Sequence, residues 1–174
     1  KLDPLGKQAD ALERGNAIHS IMEEFVNQNK DALPANAVDV FLEVAQRVLE
    51  QEVPWPAAQR LWLARLASVA KWIVTNEAER RQKGRNIALE KADRIDMGET
   101  GLRLYDYKAS KPPSAGDIEY FDKQLQLEAM IAANNGFDGL NDPSIEHMEY
   151  IGLGPDKIQT VVDLDDQTIQ SVWD

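Results

Sequence analysis

The chain contains no cysteine. Disulfides, thiolate zinc sites, cysteine-held iron–sulfur clusters and a cysteine nucleophile are therefore excluded, and a metal has to be held by oxygen or imidazole nitrogen. Histidine is nearly as scarce: His19 and His147 are the two present, too far apart for an H-E-x-x-H zinc helix. No G-x-x-x-x-G-K-[ST] and no G-x-G-x-x-G occurs, so the sequence gives no support to a phosphate-loop or dinucleotide reading. No run of about 18 apolar residues is present to span a membrane. The opening Lys1-Leu2-Asp3-Pro4-Leu5 lacks the apolar stretch of a signal peptide, and it lacks an initiating methionine, which suggests a fragment of a longer protein. Positive charge is in the minority: 19 Lys+Arg face 30 Asp+Glu, a formal charge of −11. Taken alone, that argues against nucleic acid, whose binders normally carry a basic footprint.

What is present fits one globular domain over residues 1–174. With 43% hydrophobic and 28% charged residues, the chain has the composition and length to build a core. Residues 1–84 read as mainly helical. Leu12, Ile18, Ile21, Met22, Phe25 and Val26 recur at helical spacing within residues 9–28. A second stripe, Val40, Phe41, Val44, Ala45 and Val48, lies within 37–51. After Val53-Pro54-Trp55-Pro56, a third helix is expected over 57–82, with Leu61, Leu63, Leu66, Val69, Ala70, Ile73 and Val74 as its apolar face. The four tryptophans are expected to be core or interface residues.

From residue 85 onward the pattern becomes β-β-α-β-β. Residues 86–98 alternate at period two and read as one strand, with Ile87, Leu89, Asp93, Ile95 and Met97 on one face. Glu99-Thr100-Gly101 has turn chemistry, and 102–109 forms the partner strand of a hairpin. Lys111-Pro112-Pro113 ends that strand. A helix over 117–134 and strands near 145–153 and 157–164 complete an α/β core.

Three residues interrupt this pattern. Asp93 breaks the apolar face of its strand, and Asp106 and Lys108 end the face begun by Leu102 and Leu104. Pairing of the hairpin gathers two carboxylates and an ammonium at one end of the sheet. Carboxylates on an apolar face are costly unless paired or bound to a cation, and two of them suit a hard divalent ion. Lys108 follows Asp106 by about 7 Å on the same face and is placed to activate a water or stabilise developing phosphate charge. Periodicity alone leaves open a plain surface salt bridge.

The same residues carry a family resemblance. Asp93-Arg94-Ile95-Asp96, Leu104-Tyr105-Asp106-Tyr107-Lys108 and Gln124-Leu125-Gln126-Leu127-Glu128-Ala129 resemble the RecB-type branch of the PD-(D/E)XK nucleases. Upstream, Arg14-Gly15-Asn16-Ala17-Ile18-His19-Ser20-Ile21-Met22-Glu23 is similar to that branch's R-G-x-x-x-H-x-x-L-E helix. The four blocks occur in the family's order and spacing. Leu2-Asp3-Pro4-Leu5 and the Q-L-x-L-E-A form resemble AddB-type C-terminal nuclease domains in particular.

The resemblance implies a restriction-endonuclease-like α/β fold: a central mixed sheet flanked by helices, plus an N-terminal helical portion. It implies a Mg²⁺- or Mn²⁺-dependent DNA exonuclease that processes double-strand breaks in recombinational repair. Its expected setting is the bacterial cytoplasm at the nucleoid, acting on single- or double-stranded ends beside an AddA-like helicase–nuclease subunit. Asp93, Asp106 and Lys108 match the catalytic residues, with His19 and the Tyr107 backbone carbonyl as further metal ligands. Gln124 matches the glutamine of the Q-x-x-x-Y motif, whose tyrosine position is Glu128 here. Tyr120 and Arg94 are candidates for supporting or DNA-contacting roles, ion pairing being the stronger reading for Arg94. The run Arg80, Arg81, Lys83 and Arg85 stands between a solvated helix end and a DNA-facing patch. Relatives that staple this domain with a four-cysteine iron–sulfur cluster have no counterpart here, so the N-terminal helices are expected to pack through apolar contacts alone. Competing readings are a stand-alone RecB-like or CRISPR-associated nuclease and a nuclease-like domain that binds DNA or a partner without cutting.

Overall fold

The structure, a computed structural model, describes residues 11–89, 93–120, 124–133 and 144–162; for residues 11, 88, 89, 93, 119 and 120 it describes the backbone alone. Three helices come first: α1 (Ala11–Gln28), α2 (Ala37–Glu52) and α3 (Pro56–Lys83). They form where the apolar spacing requires. Ala17, Ile18, Ile21, Met22, Phe25 and Val26 are buried along one side of α1, and Phe25 meets Phe41 of α2 edge-to-face at 5.4 Å between ring centroids. Helix α2 stops where Pro54 forces Val53 into an extended conformation, and Pro56 starts α3 from its first turn. The buried stripe of α3 runs Trp62, Leu66, Val69, Ala70, Ile73, Glu77, Arg80, whereas Leu61 is half exposed. The stripe is therefore rotated from the expected one. Trp62, one position on from Leu61, brings the larger apolar area to the contact.

Five strands follow in one sheet, ordered β1 (Arg85–Leu89), β2 (Asp93–Met97), β3 (Leu102–Lys108), β4 (Ile145–Gly152) and β5 (Gln159–Val161). The single strand expected over 86–98 is two. β1 folds back antiparallel on β2, with Arg85 opposite Met97 and Leu89 opposite Arg94. Period-two alternation reads the same in one long strand as in two paired short ones, so only the pairing separates them. β2 and β3 form the expected hairpin, β4 runs parallel to β3, and β5 returns antiparallel to β4. The sheet is mixed, as a restriction-endonuclease-like α/β core requires. The helix expected over 117–134 is described in two stretches, α4 (Ala115–Tyr120) and α5 (Gln124–Ala133), and residues 121–123 lie outside the described ones. Ser114 caps α4 reciprocally: its Oγ accepts from Asp117 N–H, and its own N–H donates to Asp117 Oδ2 at 2.9 Å. Trp173 lies outside the described residues, as do 163 and 164 at the end of the last expected strand.

Each face of the sheet has its own core. Leu102, Leu104, Met148 and Tyr150 meet Leu125, Ala129 and Ala132 of α5 on one face. Tyr105, Tyr107, Ile151 and Leu153 meet the N-terminal helices on the other. That second seam is not purely apolar, contrary to expectation. Glu77, Arg94 and Asp96 are completely buried in it.

Candidate active site

Residues 93 and 106 stand directly opposite each other in the β2–β3 register. The side chain of Asp93 lies outside the described ones, as does that of Tyr120. Asp106 is described, and only 1% of it is exposed. Lys108 Nζ lies 2.6 Å from Asp106 Oδ2 and donates to Gln124 Oε1 at 3.1 Å. The ammonium also stands 5.2 Å from the centroid of the Tyr150 ring. Tyr150 faces Asp106 across the parallel β3–β4 pair, and its hydroxyl accepts from Leu125 N–H at 3.3 Å. That bond ties the first turn of α5 to the sheet and fixes where Gln124 meets Lys108.

An open cleft of about 990 Å³ lies in front of Lys108. Arg14, Gly15 and His19 of α1 form one wall, and Gln124 and Leu127 of α5 form the other. Tyr107, Lys108 and the Ser110–Pro113 loop form its base. Gly152 permits that loop: a Cβ there would come within 2.5 Å of Pro112 Cδ and 2.8 Å of the Ser110 carbonyl oxygen. Burial pushes the His19 imidazole below its ordinary pKa, and the nearby positive charge of Lys108 adds to the effect. His19 is thus uncharged at neutral pH, the form that ligates metals.

The described lining of the cleft is richer in cations than the chain as a whole. Among the described lining residues Arg14, Lys108 and Lys111 stand beside one carboxylate, Asp117, and the buried Asp106 pairs with Lys108. A net charge of −11 describes surfaces elsewhere, because field lines in a cleft are set by its own lining.

Several expected site residues are placed elsewhere. Arg94 is fully buried, with Nε and Nη2 donating to Asp96 at 2.8 and 2.9 Å and Nη1 donating to Glu77. A guanidinium so enclosed has no access to DNA, which corrects its candidacy as a phosphate contact. Arg80 and Arg81 turn inward as well. Arg81 Nε donates to Glu77 at 2.6 Å and its Nη1 to the Asn29 carbonyl at 2.6 Å, while Arg80 lies 5.8 Å from the Tyr105 and Tyr107 rings. The first half of the basic run thus closes the seam, and Lys83 and Arg85 stay exposed. Glu128, half buried one turn beyond Gln124, is not among the described residues lining the cleft.

Among the described residues no three His, Asp or Glu side chains gather as a metal cluster. The donors that are described, the buried Asp106 carboxylate and the neutral His19 imidazole, are of the type a hard or borderline divalent ion takes. Sequence reasoning did not find Tyr150 or Glu77. Tyr150 reaches Lys108 only through the parallel strand pairing, and Glu77 sits in a helix whose charges repeat too often to stand out.

The family model of the PD-(D/E)XK nuclease superfamily matches residues 1–171. The chain belongs to the PD-(D/E)XK nuclease superfamily. Membership covers both the helical portion and the sheet, so the lysine-bearing cleft lies inside the matched region. Members of this superfamily generally use divalent metals. An uncharacterized protein of Rickettsia bellii (strain RML369-C) is 22% identical over 156 residues. That alignment covers 78% of this chain and 19% of the Rickettsia protein, so the chain spans about a fifth of that relative's length. No helix among the described residues of this superfamily member is long and apolar enough to cross a membrane.

Proposed function

We propose that this PD-(D/E)XK nuclease is a metal-dependent DNA exonuclease domain of the RecB type, similar to AddB-type domains. On this reading it trims double-strand ends for recombinational repair in the bacterial cytoplasm, beside an AddA-like helicase–nuclease subunit. The observation that carries the nuclease reading is the placement of Lys108. Its ammonium is held between Asp106 and Gln124 at the base of a basic cleft.

Asp93, Asp106, His19 and the Tyr107 carbonyl are the groups that would hold Mg²⁺ or Mn²⁺. When bound, such an ion supplies Lewis-acid polarisation of the scissile phosphate and makes an attacking water more acidic. The chain's own residues do the rest. Arg14 and Lys111 attract the phosphate backbone into the cleft. Lys108 orients the nucleophile and opposes the charge that develops on the phosphoryl oxygens. Gln124 and Asp106 hold two of the three Lys108 donors, which fixes where the third is offered. Glu128, one turn beyond Gln124, supports that helix face.

The test is cleavage of end-labelled single- and double-stranded DNA in Mg²⁺ or Mn²⁺. Lys108→Ala and Asp106→Ala are expected to lose at least about a hundredfold in rate while keeping the wild-type circular dichroism. Unchanged cleavage in both variants would overturn the assignment.

A further inference from the structure

A second cavity of about 330 Å³ adjoins the active-site cleft. The two share a wall made by Arg14, Ala109, Ser110 and Lys111. The floor of the second cavity is apolar. Ile18, Trp62 and Leu66 come from the helices, and Leu153 and Ile158 come from the β4–β5 connection. Its rim is basic: Arg14, Arg65, Lys111 and Lys157 surround it, with Asp156 as the one acid among the described lining residues. None of these four cations is held in an ion pair among the described residues. Arg14 bears on both cavities, and its Nε is buried with no hydrogen-bond partner among the described residues. A donor removed from water and left unpaired is costly, and an incoming acceptor at this wall relieves the cost.

An apolar floor with a cationic rim is complementary to one ligand chemistry in particular: a flat, weakly polar ring carried on an anionic chain. The volume lies at the small end of ligand pockets, of about 300–1,000 Å³, and suits a single nucleobase with its sugar. A base inside it is unstacked and unpaired, since no duplex enters so small a space. We infer that this cavity is a nucleobase subsite, which receives the base adjoining the scissile phosphate while Arg14 and Lys111 hold the backbone between the two cavities. The subsite rests on the nuclease reading for the reaction next to it, and not for its own binding. It restricts cutting to strands whose bases near the scissile bond are free of a complement.

The test separates these two readings. Binding is followed by fluorescence anisotropy of a labelled oligothymidylate, with the full 174-residue chain in EDTA so that nothing is cut. The wild-type chain is expected to bind the base-bearing strand about tenfold more tightly than an abasic strand of equal length, the contribution of one accommodated base. Arg65→Glu combined with Lys157→Glu, both on the exposed rim, should weaken both strands by about tenfold or more. Ile158→Trp, which fills the cavity, should remove the preference for the base-bearing strand. Equal wild-type affinity for the two strands would overturn the subsite, whatever the variants do. So would an undiminished preference in a folded Ile158→Trp chain. A chain that discriminates between the strands yet fails to cut in Mn²⁺ retains the subsite and loses the nuclease reading. A chain that cuts without discriminating does the reverse.

Discussion

Glu77 of α3 and Arg94 of β2 form an ion pair in which neither side chain has any exposed surface. The pair joins the N-terminal helices to the sheet. Asp96 holds the other edge of the Arg94 guanidinium, and the Tyr107 hydroxyl accepts from Arg94 Nη1 at 3.4 Å. Tyr107 lies between Asp106 and Lys108, so the seam holds the strand of these two residues from behind. The local charges push the Arg94 pKa well above its ordinary value, which keeps the guanidinium charged at every accessible pH.

Removing Glu77 therefore leaves a buried charge with half its compensation. Glu77→Ala is expected to lose about 3–5 kcal/mol of stability, or roughly 10 °C in Tm for a chain of this size. Thermal denaturation followed by circular dichroism measures it. A loss below about 1 kcal/mol would mean that the pair behaves as a surface salt bridge.

The same residue sets an acid limit. Burial alone would raise the Glu77 carboxyl, but Arg94, Arg80 and the hydrogen bonds from Arg81 and Arg94 outweigh it, so its pKa lies below the ordinary 4.5. A depressed carboxyl contributes stability that is fully present above 4.5 and lost as the pH falls through the lowered value. The Tm difference between the wild type and Glu77→Gln should thus be constant from pH 7 to about 5 and shrink below it. A difference that widens on acidification would reverse the sign of the shift.

Gln124 is expected to act on Lys108, whose ammonium donates to its Oε1, rather than on DNA. Gln124→Leu removes the acceptor 3.1 Å from Nζ and leaves the cationic lining intact. The expected result is a kcat lowered by about ten- to a hundredfold with KM changed less than about twofold, the pattern of an interaction used in the transition state. A raised KM with unchanged kcat would make Gln124 a DNA contact instead.

Divalent binding should be visible as stabilisation without any cleavage. Mn²⁺ at a hundred times its dissociation constant is expected to add about 2.7 kcal/mol, roughly 5–10 °C in Tm. Asp106→Asn and His19→Gln should each reduce that increment. An increment of equal size in both variants would place the ion elsewhere.

The helices, the hairpin and the pairing of positions 93 and 106 were legible because local periodicity and turn chemistry specify them. Lys108 and Asp106 stood out as charged residues ending an apolar face. Arg94 was harder. Its position on the strand face opposite Asp106 could be counted, but its burial depends on a glutamate 17 residues earlier in another element. The division of residues 86–98 into two strands was also hidden. A periodic pattern carries no mark at the point where the chain reverses.

By itself the sequence determined what this protein lacks and which chemistry it carries: no thiolate, two histidines, and a D-x-K strand ending in prolines. Only the tertiary structure decided which charges work where. It buried Arg94, Arg80 and most of Arg81 in the seam, and it left Arg14, Lys108 and Lys111 to line the cleft. The reason is physical. Composition sums charges over the whole chain, whereas binding and stability depend on the distance and dielectric between particular pairs. Those quantities exist only once α1, α3 and α5 have packed against the sheet.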